Sequence, residues 1–117
     1  MDKFAQAKQD GEAAERRAKS FLEQKGLIFV EQNFCVPLGE IDLIFQQNRT
    51  LVFVEVKFRR TSSHGHAAEY FTPSKRSKMN RAIMCYLQQH NLNLHHTDLR
   101  IDVIAIDDQE LTWIIGV

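Results

Sequence analysis

Apolar and polar positions follow two different rhythms along this chain. Over residues 4–25, Ala14, Ala18, Phe21 and Leu22 recur at helical spacing, and Gly26 supplies a stop. From Leu27 the rhythm changes. LIFVEQNFCV (27–36) reads as a strand, followed by Pro37 and a turn at Leu38-Gly39. EIDLIF (40–45) alternates with period two, QQNR (46–49) is a polar turn, and LVFVEVKF (51–58) follows; these runs predict a β-hairpin. RRTSSHGHAAEYF (59–71) predicts a polar loop. Thr72-Pro73 opens a second helix, with Thr as N-cap and Pro at the first helical position. Met79, Ala82, Ile83, Tyr86 and Leu87 share its buried face. LRIDVIAI (99–106) is another strand and LTWIIGV (111–117) a candidate last one. The order α-β-β-β-α-β(-β), with a hairpin and a βαβ-type crossover, predicts an α/β domain with a mixed β-sheet flanked by helices.

Face alternation then sorts the charged residues. Glu40, Asp42 and Ile44 share one face of the first hairpin strand. Leu51, Phe53, Glu55 and Lys57 share one face of the second, and Val52, Val54, Val56 and Phe58 the other. With Asn48 and Arg49 as the central turn residues, positions summing to 97 face each other, which sets Asp42 opposite Glu55 and Glu40 opposite Lys57. Facing half-buried carboxylates repel, so protonation of one acid or a bound cation must offset them. At about 100° per residue, Glu15 lies on the border of the helical apolar stripe and can face the sheet, whereas Glu12 lies on the solvated side. Glu15, Asp42 and Glu55 with Lys57 leave two net negative charges, which one divalent ion neutralises. All-oxygen ligands favour Mg²⁺ or Mn²⁺, and these parts suit phosphodiester hydrolysis. The other reading is a Glu55–Lys57 ion pair on a solvated face with Asp42 facing water; spacing alone leaves both open.

Composition narrows the setting. The 117 residues fit one domain, 1–117, with 44% hydrophobic and 26% charged residues, an ordinary balance for a soluble protein. No apolar run approaches the ~20 residues of a membrane span, and the first residues lack the apolar core of a secretory signal, so a cytoplasmic location and no membrane partner are expected. Cys35 and Cys85, without CxxC spacing, are expected as reduced, buried small hydrophobes. Net charge is zero but unevenly spread. Residues 57–81 hold seven Lys/Arg against Glu69, while 98–110 hold five acids against Arg100. Arg59, Arg60, Lys75, Arg76, Lys78 and Arg81 could therefore meet phosphates or form a solvated face. Glu40 is either a partner of Lys57 or solvated. His64 and His66 lack a third ligand, and His95-His96 is no stronger. Tyr70 and Phe71 are expected to pack the loop onto the core, Trp113 to be core, and Asp102 to pair with Arg100.

GEIDLIF followed by LVFVEVKFR strongly resembles the YraN-like family of small bacterial proteins. That family is similar to archaeal Holliday-junction resolvases and the wider PD-(D/E)xK, restriction-endonuclease-like nucleases. The resemblance extends over AERRAKSFLEQKGL (14–27), GEIDLI (39–44), VFVEVKFR (52–59), TPSKRSKMNRAIMCYL (72–87) and RIDVIAI (100–106). Carried over position by position, the motif acid is Asp42, the (D/E)xK is Glu55-Val56-Lys57, and the helix glutamate is Glu15; Ile41 stands where the motif's proline would be. The resemblance implies a restriction-endonuclease-like αβββαβ core and Mg²⁺-dependent (or Mn²⁺-dependent) cleavage of nucleic acid.

The expectation is thus a metal-dependent endonuclease acting on DNA, including branched or structured DNA. Two incisions at a junction would call for a homodimer. A non-catalytic nucleic-acid-binding module of the same fold, or a protein-interaction subunit using the basic loop and helix, are the alternatives.

Overall fold

A computed structural model describes residues 2–60 and 65–117; His64 lies outside them. Helix α1 (Lys3–Gln24) begins where Asp2 accepts the Ala5 N–H at 2.8 Å. Its end is a Schellman stop: Gly26 takes φ +92°, its N–H reaches the Glu23 carbonyl, and the Leu27 N–H reaches that of Leu22. Leu22 and Leu27 are buried in one cluster, so packing and hydrogen bonding end the helix at the same place.

Among the described residues five strands follow: β1 (Ile28–Val36), β2 (Gly39–Gln47), β3 (Thr50–Arg59), β4 (Asp98–Asp107) and β5 (Glu110–Ile114). They form one sheet in chain order. All neighbours are antiparallel except β3 and β4, which are joined by the crossover helix α2 (Pro73–Gln89). Thr72 caps α2 by accepting the Lys75 N–H at 3.3 Å, with Pro73 at the first helical position as expected. The mixed sheet flanked by helices is therefore the observed α/β fold, and it is compatible with a restriction-endonuclease-like core.

The helices cover opposite faces. Under α1, Ala14, Ala18 and Leu22 pack on Leu43, Phe45, Val52, Val54, Ile104 and Ile106. Under α2, Met79, Ala82, Ile83, Tyr86 and Leu87 pack on Phe34, Ile41, Ile44 and Phe53. A 3₁₀ turn, Ala67–Tyr70, adds a small cluster of Ala67 with Val103 and Ala105. The described part of the polar stretch, from residue 65 on, thus carries a turn packed on β4 rather than an open loop. Among the described residues no helix is long and apolar enough to cross a membrane.

The hairpin has the expected register from Gln47↔Thr50 to Leu43↔Val54, with Asn48 at φ +55° in the turn, but the ladder ends there and the expected Asp42↔Glu55 and Glu40↔Lys57 pairs are not part of it. Strict alternation in β2 does not hold. Ile41 and Ile44 both lie under α2, while Leu43 and Phe45 lie under α1, so the pattern breaks around Asp42. The strand bends there, and β1 bends beside it: Asn33 takes φ +54° between the Gln32↔Leu43 and Phe34↔Ile41 pairs.

Two expectations about single residues need correction and two hold. Cys35 is exposed and Cys85 only partly buried, because Cys35 lies next to the open β1–β2 turn rather than over a helix. Trp113 packs edge-on to Phe21, with centroids 5.9 Å apart. Asp102 is wholly buried and pairs with Arg100 at 2.9 Å; it also accepts from Trp113 Nε1 and the Gly116 N–H.

Candidate active site

Strands β2 and β3 are paired only as far as Leu43↔Val54. One residue beyond, the Asp42 carboxylate accepts the Val56 N–H at 2.8 Å, a backbone group that a continued ladder would have used. The strands part at this point. The gap lets groups from both faces of the sheet reach one cavity of about 430 Å³, lined by Glu15 from α1, Glu40 and Asp42 from β2, and Glu55 and Lys57 from β3. Glu15 thus lines the same cavity as Glu55 although α1 lies on the face opposite Phe53, the neighbour of Glu55 by alternation.

The carboxylates are not independent. Burial, then the Glu55 charge, pushes the Asp42 carboxyl up to about 8, against the opposing hydrogen bond from Val56 and with a further contribution from Glu15. The charge on Glu55 makes ionising Asp42 harder, so the two carboxyls do not readily carry full charge together. Glu15 is raised too, by burial first and then by Glu40 and Glu55. Lys57 Nζ stands 2.9 Å from Glu55 Oε1, and both side chains are only about one-eighth exposed (12% and 13%). A surface ion pair on a solvated face is therefore not what this strand end carries. Burial opposes the Lys57 ammonium, yet the adjacent Lys75 amine and the Glu55 and Asp42 carboxylates hold its pKa above the ordinary lysine value. Lys75 is pushed down by its contact with Lys57 and by burial.

The basic residues divide into three groups. Lys75 and Lys78, with Arg81, line a second cavity of about 530 Å³ that shares Glu40, Glu55 and Lys57 with the first. Arg59 and Arg60 line the first cavity from the other side, but each already has a partner. The Arg59 guanidinium sits 3.6 Å from the centre of the Tyr70 ring, and Arg60 makes two bonds to Asp10, at 2.8 and 2.9 Å. Arg76 stands apart from the sequence-derived set. One position on from Lys75 it is rotated by about 100° around the helix, and it donates to the Val117 carbonyl at 2.8 Å beside a different cavity. Arg81 lines the same cavity as Lys75 and Lys78, because their three-residue spacing puts all three on one side of the helix. Cys35, though exposed, lines the larger cavity, and partial desolvation there and then Glu40 raise its thiol pKa. His66 is 3.9 Å from Asp107 and lines a different cavity from Glu15, Asp42 and Glu55.

The donor chemistry suits a hard divalent cation: among the described residues the cavity is lined by carboxylates with no sulfur or imidazole, and its surplus of negative charge shows in the elevated Asp42. The arrangement is open. Among the described residues no three Asp, Glu, His or Cys side chains meet at one ligating point, so a bound cation would have to draw Glu15, Asp42 and Glu55 inward.

An α/β fold of this topology, with its acids gathered where two strands part, defines the class first: a sheet protein with a polar, charge-strained cleft at a strand end. Comparison with known proteins then gives the family. The model of the "Uncharacterised protein family UPF0102" matches residues 14–106. A UPF0102 protein of Vibrio campbellii is 44% identical over 109 residues, covering 92% of this chain and 89% of its own. One from Vibrio vulnificus is 42% identical over 106 residues, covering 89% and 87%, and one from Marinomonas is 44% identical over 111 residues, covering 92% and 86%. The chain belongs to family UPF0102, the YraN-like family that its motifs resemble.

Proposed function

We propose that this protein is a metal-dependent endonuclease that hydrolyses phosphodiester bonds of DNA, with Glu15, Asp42 and Glu55 as metal ligands and Lys57 as the catalytic amine. The observation that carries this reading is the opening between β2 and β3, which brings the three carboxylates and Lys57 to one cavity. A Mg²⁺ or Mn²⁺ ion held there would supply Lewis acidity toward a phosphoryl oxygen and a more acidic water. The Lys57 ammonium, fixed beside Glu55, would place positive charge where the phosphoryl group gains negative charge. Lys75 and Lys78 on one side and Arg59 on the other would hold neighbouring phosphates, and Arg60 would join them on leaving Asp10.

Incubation with linear, nicked and four-way-junction DNA, with and without Mg²⁺ or Mn²⁺, tests the reading. Wild type is expected to cut only with metal, and Glu55→Ala and Lys57→Ala are each expected to abolish cutting. Binding that weakens with salt but never leads to cutting would instead indicate a binding module of the same fold. Absence of binding at low salt would turn attention to a protein partner.

A further inference from the structure

We propose that the larger cavity, between α2 and the β1–β2 turn, is a nucleotide subsite: Lys75, Lys78 and Arg81 take the phosphate, and Val36, Pro37 and Leu38 take the sugar and base. The assignment rests on the nucleic-acid reading above but requires neither metal nor cleavage. Three observations support it. Lys75, Lys78 and Arg81 recur every three residues along α2 and line one cavity, and among the described residues none has a carboxylate within 4.0 Å. Lys75 and Lys78 stand in the first two turns of a helix, where cations work against the macrodipole, so the helix itself gains nothing from them. An anion in the cavity would relieve both conflicts.

The opposite wall is apolar: Val36, Pro37 and a Leu38 that is 68% exposed. Cations facing an apolar wall match the two halves of a nucleotide better than they match a bare inorganic anion. The two walls are held at a fixed separation. A Cβ on Gly39 would stand 2.0 Å from the Lys78 carbonyl oxygen, so the β1–β2 turn meets α2 backbone to backbone. Glu40 and Glu55 at the boundary repel phosphate, which keeps it on the α2 side. Because that boundary is shared with the carboxylate cavity, the bound nucleotide would be one flanking the scissile phosphate.

Heteronuclear NMR titration of the full chain in EDTA tests this with three probes: thymidine 5′-monophosphate, thymidine and inorganic phosphate. The mononucleotide is expected to shift the amides of Val36, Leu38, Gly39 and Lys78 and to bind about tenfold more tightly than phosphate. Lys78→Ala combined with Arg81→Ala, both at exposed positions, is expected to weaken the mononucleotide by at least about tenfold, the worth of one charge-assisted hydrogen bond. Leu38→Ser is expected to bring it down to the level of phosphate. Shifts centred elsewhere, phosphate binding as tightly as the mononucleotide, or an unaffected double variant would overturn the assignment. Because EDTA removes divalent metal, failure here is distinguishable from failure of the cleavage reading.

Discussion

Asp42→Asn should stabilise the metal-free protein, and more so as pH rises. The Asp42 carboxyl is raised from 3.8 to about 8 in the fold, so the folded chain keeps a proton that the unfolded chain releases. For a raised acid this contribution is complete below the unfolded pKa and is lost as pH climbs toward the folded one. At pH 7 an uncoupled carboxyl with that shift would cost ~4 kcal/mol relative to low pH. Electrostatic interaction with Glu55 and local relaxation reduce this, and roughly 2 kcal/mol is the working expectation. Asparagine keeps an oxygen for the Val56 N–H and cannot ionise. Urea unfolding in EDTA from pH 5 to pH 8 should show wild type losing stability more steeply than Asp42→Asn, which keeps the raised Glu15, with the variant ahead by about 2 kcal/mol at pH 8. Added Mg²⁺ should close that gap by stabilising wild type alone. Parallel pH profiles, or a variant less stable than wild type at pH 8 without metal, would refute the reasoning.

Gly39→Ala should destabilise by ~3 kcal/mol or more in urea unfolding, because its methyl meets the Lys78 carbonyl and only a backbone shift can make room. Asp102→Ala should cost about 3–5 kcal/mol in the same assay, since it orphans the Trp113 and Gly116 donors and removes the buried partner of Arg100. Gly11→Ala should raise stability by ~1 kcal/mol, because Gly11 lies within α1 and its Cβ would meet nothing within 4 Å, leaving only helix propensity to act.

The parts of the fold legible in the sequence are those fixed by local chemistry. Thr72-Pro73 starts α2, Gly26 ends α1, and the Asn48-Arg49 turn sets the hairpin register, because each depends on neighbours a few residues away. The side of α1 that carries Glu15 followed from the 3.6-residue period alone. The break at Asp42 was not legible. Period two puts Ile41 and Leu43 on one face, and only the bond from the Val56 N–H to the Asp42 carboxylate, between two strands, shows where the ladder ends. The same limit applies to the arginines. Nothing near Arg60 in sequence shows that Asp10, on α1, binds it, and nothing near Arg76 shows the Val117 carbonyl. Cys35 misled because strand composition reports apolar character but not whether a helix lies over that rung.

Calorimetric titration of Mn²⁺ into wild type, Glu15→Gln, Asp42→Asn and Glu55→Gln tests the carboxylate site most directly. Saturable binding to wild type that weakens by at least about tenfold in each variant is the expected result. No binding to wild type, or equal affinity in all four proteins, would contradict it.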